Sequence, residues 1–259
     1  GMLFLQSTEA AIAAGPCRAL DNQVINFINS QYMNWLQRQG WLICHAAALD
    51  LNGHGVGVAG LSGGGKSTLM LALMDKPGVS YVTNDRLFIK RDNGAVRAAG
   101  IPKMPRINPG TIVHNPALHG LIGADRRSEL LALPKDELWH LEEKHDAMIA
   151  TLYGADRVLQ ESRLDTFLVL NWSRDTSEAT RLDEVDLAAR QDLLPAIMKS
   201  PGPFYQLADG SLYQASMQAD PQVYLDALQG VQILEASGRV DTEQLKDKLY
   251  TWITGRQAQ

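Results

Sequence analysis

The sequence predicts an α/β chain with a mixed sheet and flanking helices, and three observations carry that expectation. A glycine-rich run, Gly60-Leu61-Ser62-Gly63-Gly64-Gly65-Lys66-Ser67, lies between a short apolar run of strand type and an apolar run of helix type. Two turn signals, Asn52-Gly53 and Asp92-Asn93-Gly94, divide other apolar runs into hairpins, so part of the sheet is antiparallel. The 259 residues are 45% hydrophobic and 20% charged, a balance that excludes disordered, collagen-like and coiled-coil chains. A formal net charge of −5 argues against a general nucleic-acid binder and leaves room for a local basic cleft.

In chain order, Met2-Leu3-Phe4-Leu5 is apolar, but no basic segment precedes it and Glu9 follows, so neither a signal peptide nor a membrane span is expected there. Over residues 21–39, Val24, Ile25, Ile28, Tyr32, Trp35 and Leu36 recur at helical spacing, with Asp21 placed to cap and Gly40 to stop. Residues 1–40 are therefore read as a helical N-terminal segment and 41–259 as the main domain. Residues 42–49 and 56–59 read as two strands about the turn at Asn52-Gly53-His54-Gly55. Residues 69–74 read as a buried helix broken by Pro77-Gly78, and 79–83 as a strand ending at Asn84-Asp85, which completes a β-loop-α-β unit.

Residues 87–89 and 95–97 form the expected hairpin, and 100–116, with four prolines, an irregular surface loop. Residues 165–171 read as a central strand; 183–198, 221–236 and 242–253 read as helices. Cys17 and Cys44 are the two cysteines, in neither CxxC spacing nor a disulfide framework, which fits a reducing compartment and a cytoplasmic protein.

The run from Gly60 to Ser67 fits G-x-x-x-x-G-K-[ST] at every fixed position. Glycines let the backbone close around a polyphosphate and turn its N–H groups inward, and the helix that follows adds its positive end. The expected ligand is ATP with Mg²⁺: Gly60, Leu61, Ser62, Gly63, Gly64, Gly65 and Thr68 form the cradle, Lys66 reaches the β- and γ-phosphates, and Ser67 meets the metal. Asp85, at a strand end beside this loop, can deprotonate an attacking hydroxyl or hold Mg²⁺. Gly55-Val56-Gly57-Val58-Ala59-Gly60 fits a dinucleotide fingerprint in letters only, because its first glycines fall in a turn and a strand.

With His45, the loop and Asn84-Asp85 in place, residues 45–85 resemble the catalytic core of HPr kinase/phosphorylase and its relatives, a superfamily shared with phosphoenolpyruvate carboxykinase. His45-Ala46-Ala47-Ala48, Gly53, Gly55, the loop and Asp85 follow the family pattern. The resemblance implies a P-loop core of that type, transfer of the γ-phosphoryl group of ATP to a hydroxyl, and a partner-protein serine as one acceptor. It implies catalytic roles for Lys66 and Asp85, with His45 supporting the acid; a hydrogen-bonded core histidine is the other reading of His45.

Asn84 stands where the family usually has the first aspartate of a pair, and its glutamate ligand for Mg²⁺ has no counterpart in residues 100–110. Phosphorolysis is accordingly not expected, nor is the family's N-terminal domain. Two alternatives stand beside the kinase: a nucleotide-binding regulatory module without transfer, and a small-molecule kinase.

Elsewhere, Lys103 and Arg106 can clamp a phosphate or an acidic substrate, or be solvated charges. Arg126-Arg127 reads better as a surface pair than as a source of transition-state charge. His140 and His145 are five apart and leave a common helix face, so no zinc site is expected, and nothing is assigned to His114 or His119. Asn171-Trp172-Ser173 reads as a strand end, and the five tryptophans as packing residues.

Overall fold

The computed structural model describes residues 1–7, 9–61, 63–101, 103–207, 209–214, 217 and 219–257; Ser62, one of the expected cradle residues, lies outside them. The chain starts with β1 (Leu3–Gln6) and β2 (Ala11–Ala14), a hairpin ahead of α1 (Asp21–Arg38). The residues expected to form one strand at 42–49 are instead β3 (Leu42–Cys44) and β4 (Ala46–Leu51), which belong to different sheets and part at His45. After β5 (His54–Gly60) come the loop and α2 (Lys66–Met74), then β6 (Val79–Thr83), β7 (Leu87–Asp92) and β8 (Ala95–Gly100).

The proline-rich stretch is less irregular than expected, holding β9 (Arg106–Ile107) and α3 (Pro109–Val113). Next are α4 (Ala124–Leu131), α5 (Lys135–His140), β10 (His145–Asp146), α6 (Ile149–Tyr153), β11 (Glu161–Arg163) and β12 (Thr166–Leu170). The expected helix at 183–198 is replaced by an edge strand, β13 (Arg181–Glu184), followed by the short α7 (Leu194–Ile197). That expected at 221–236 is α8 (Pro221–Ala227) followed by β14 (Gln232–Ser237), and α9 (Thr242–Gln257) closes the chain.

The fold is mixed α/β. A six-stranded sheet has the order β13-β14-β12-β5-β4-β6, with β12 parallel to both β14 and β5 and the outer pairs antiparallel. One face (Leu49, Val58, Leu168, Leu234) packs on Leu69 and Leu73 of α2 and on Leu245 and Leu249 of α9. The other face (Ala48, Phe167, Val169, Ile233) packs on Leu87, Ile89 and Val96 of a second, antiparallel sheet, β11-β8-β7-β3. The far side of that sheet, through Ile43, Phe88 and Ala99, meets Met33 and Leu36 of α1.

Alternation is what makes this layering work, since successive residues of one strand feed opposite cores. The approach of the strands is close: a Cβ on Gly55 would lie 1.4 Å from the Arg163 carbonyl oxygen. At its other margin, the N-terminal segment reaches a distant loop. Gln6 and Asn34 both donate to the Phe204 carbonyl oxygen, and Phe4, Phe27 and Phe204 form a ring cluster. Among the described residues no helix is long and apolar enough to cross a membrane.

Candidate functional site

The glycine-rich bend leaves the end of β5 and enters α2, the placement that a phosphate cradle needs. Gly63 (φ +76°) and Gly65 (φ +88°) take left-handed backbone, and a Cβ on Gly64 would meet Leu61 O at 2.9 Å, so the bend depends on these glycines. Gly60 ends β5 opposite Leu170 of β12, and Leu61 is exposed at the tip of the bend. Two residues past β12, Trp172 donates from Nε1 to Gly64 O at 2.8 Å and steadies the bend from outside. Thr68 turns its hydroxyl to Thr111 of α3, at 2.8 Å, so it ties two helices together.

A cleft of about 430 Å³ opens beside the bend, and His45, Gly63, Lys66, Ser67, Thr83, Asn84, Asp85, Lys103 and Arg106 are among its lining residues. The structure thus gathers most of the candidate residues in one place. Lys66 folds over its own loop, donating to Gly60 O at 2.7 Å and Leu61 O at 3.4 Å. Burial pushes its ammonium below the usual lysine range, the Asp85 charge pulls it back up, and Lys199 pushes it down again.

Asp85 follows β6, and His45 occupies the break between β3 and β4, held there by its backbone N–H on Ile197 O at 2.7 Å. His45 Nε2 stands 3.4 Å from Asp85 Oδ1, and Arg86 Nε 3.4 Å from Asp85 Oδ2. The hydrogen bond from His45 holds the Asp85 carboxyl far below the usual carboxylate range; burial opposes it, and Lys199 and Arg86 add to it. Asp85 is therefore an ionised, weakly basic carboxylate at neutral pH.

Lys199 is a member of this cluster that the sequence did not reveal. The antiparallel bridge between Cys44 and Met198 sets it across from Ile43, and the buried Tyr224 receives the Lys199 backbone N–H at 3.2 Å while donating to Ile43 O at 2.7 Å. Burial lowers its ammonium, and Asp85 partly restores it. No local pattern marks this residue, because its position depends on contacts more than 150 positions away. Lys144, which no sequence motif marks, lines the cleft. Arg126 does not; it pairs with Glu129 and Glu143 on the surface, and His145 meets Glu143 at 3.1 Å.

Among the described residues no three His, Cys, Asp or Glu side chains form a metal cage. Besides the His45 imidazole, which is turned to Asp85, the donors lining the cleft include oxygens, among them the Ser67 hydroxyl, the Asp85 carboxylate and the side-chain amide of Asn84, whose Oδ1 is buried with no hydrogen-bond partner among the described residues. That set fits Mg²⁺, which takes few protein ligands and completes its shell with phosphate oxygens and water.

No protein-family model matches the sequence, and no curated protein matches it. A solved structure is similar. It is the Hpr(Ser) kinase/phosphatase from Coxiella burnetii, which overlaps 83% of this chain and 93% of its own at 12% identity and a TM-score of 0.41.

Proposed function

We propose that this chain is a kinase-like phosphotransferase that binds ATP with Mg²⁺ and passes the γ-phosphoryl group to an alcohol oxygen, whether of a partner-protein serine or of a small molecule. The observation that carries the proposal is the left-handed glycine bend between β5 and α2, with Lys66, Ser67 and Asp85 facing one cleft. The catalytic unit in this reading is the P-loop domain of residues 41–259, with 1–40 as its appendage.

The cradle that the sequence assigns to Gly60, Leu61, Ser62, Gly63, Gly64 and Gly65, with Thr68 next to them, gives backbone N–H groups to the phosphates in this reading. Lys66 leaves its carbonyl partners for the β- and γ-oxygens, while Lys199 offers a second ammonium on the Asp85 side. Ser67 and Asp85, with Asn84 Oδ1, would hold Mg²⁺, which supplies charge neutralisation at the β- and γ-phosphates. The acceptor oxygen bonds to the γ-phosphorus as the bond to the bridging oxygen breaks, and ADP leaves with that electron pair. Held low by His45, Asp85 orients the hydroxyl and receives its proton only late, as that oxygen turns acidic.

Calorimetry with Mg²⁺ and a non-hydrolysable ATP analogue tests the reading. Lys66→Ala should weaken binding by on the order of 10²-fold and remove transfer from γ-labelled ATP; wild-type protein that takes up no nucleotide would overturn it. Asn84, an amide where a second acid would serve, favours a second reading, a nucleotide-binding regulatory module that binds the analogue and transfers nothing.

A further inference from the structure

The cleft holds more positive charge than a nucleotide requires. Lys66, Lys103, Arg106 and Lys144 line it, against the single carboxylate of Asp85, in a chain whose formal net charge is −5. In the kinase reading, Lys66, Lys199, the loop amides and Mg²⁺ already serve the triphosphate. Of the other three cations, Arg106 lies in the two-stranded ribbon of β9 and β10, and Lys103 and Lys144 lie on the segments that lead into it.

This ribbon is a fixed structure. Arg106 is paired with Asp146 in strand register, and their side chains meet at 3.1 Å, so that charge is neutralised. Pro105 O receives the Ala147 backbone N–H at 2.9 Å, and the buried Tyr81 donates from its hydroxyl to Lys103 O at 3.0 Å. Lys103 and Lys144, anchored through this backbone, have no ion-pair partner among the described residues. Two ammonium groups lining one cleft, unpaired among the described residues, focus potential onto an anion, an effect that outlasts the screening of a lone surface charge. The cleft, about 430 Å³, has the size of a small-molecule site.

Resting on the kinase reading, we propose that the acceptor is a small hydroxylated oxyanion, gripped through its carboxylate or phosphate by Lys103 and Lys144, with its hydroxyl presented to the γ-phosphorus beside Asp85. In the transfer, the acceptor O–P bond forms and the bond between the γ-phosphorus and the bridging oxygen breaks. ADP takes the electron pair, and the hydroxyl proton leaves by way of Asp85 to water.

Three matched probes test this: glycerol, glycerate and glycerol 3-phosphate, each titrated into protein saturated with Mg²⁺ and the non-hydrolysable ATP analogue. Glycerate or glycerol 3-phosphate should bind at least about tenfold more tightly than glycerol, and whichever wins tells carboxylate from phosphate. The double variant Lys103→Ala/Lys144→Ala should lose that preference while its analogue affinity stays within about twofold, and Lys103→Arg/Lys144→Arg should retain it. Equal binding of all three probes would overturn the proposal, as would a double variant that loses nucleotide and anion alike. ADP release stimulated by a serine peptide more than by either anion would also overturn it. Failure of the wild-type protein to bind the analogue at all would instead sink the kinase reading itself.

Discussion

Asp85 and His45 form a unit whose behaviour with pH can be derived. Because the folded protein holds the Asp85 carboxyl below its unfolded value, the carboxylate contributes stability above the ordinary carboxylate range and loses it as acid protonates the folded form. His45→Ala removes the largest cause of that depression, so Asp85 should titrate nearer its ordinary value and the acid limb of nucleotide binding should move to higher pH. An NMR titration of the Asp85 carboxyl in both proteins measures the movement directly; coincident curves would refute it.

Asn84 is the complementary case. Its buried Oδ1 has no donor among the described residues, and Asn84→Asp adds a second negative charge beside Asp85. Melting without Mg²⁺ should fall, and Mg²⁺-dependent analogue affinity should rise about tenfold, with any transfer rate rising too. A Mg²⁺ titration paired with melting curves reads both effects.

At the level of elements, the bend was legible because its glycines are stereochemically required and because an apolar strand and helix flank it. Asp85 was legible as a strand-end acid beside the bend. Two other segments were misread for physical reasons. The apolar residues Leu187, Leu193, Leu194 and Ile197 suggest helical spacing, but they fill the core beneath the six-stranded sheet from a turn that follows the edge strand and from two short helical turns. In 221–236 the helix ends where Gly230 takes left-handed backbone, and Val231, Ile233 and Leu234 then belong to the buried β14 region.

Trp172 escaped as a site residue because its role comes from the neighbour relation of β12 to β5, which no local pattern encodes. Trp172→Phe keeps an aromatic side chain but removes the indole N–H and its hydrogen bond to Gly64 O. It should cost about 1 kcal/mol of stability by denaturant melting and weaken analogue binding several-fold by calorimetry. An unchanged affinity would mean that the bend holds its shape without this support.

Over the whole molecule, the site is a late product of topology. Its residues come from both sheets, and the parallel pairing of β5, β12 and β14 must close loops of more than 60 residues before Trp172 meets the bend. In stopped-flow refolding, analogue binding should therefore return with the slowest folding phase; binding regained in an early phase would show that the bend forms by itself. The N-terminal segment reaches this assembly from the other side. Gln6 and Asn34 hold the Phe204 carbonyl, and Phe204 lies five residues after Lys199. A chain shortened to begin after α1 would lose both of these holds on the strap that carries the Lys199 ammonium toward Asp85, so the first forty residues act on the site from behind.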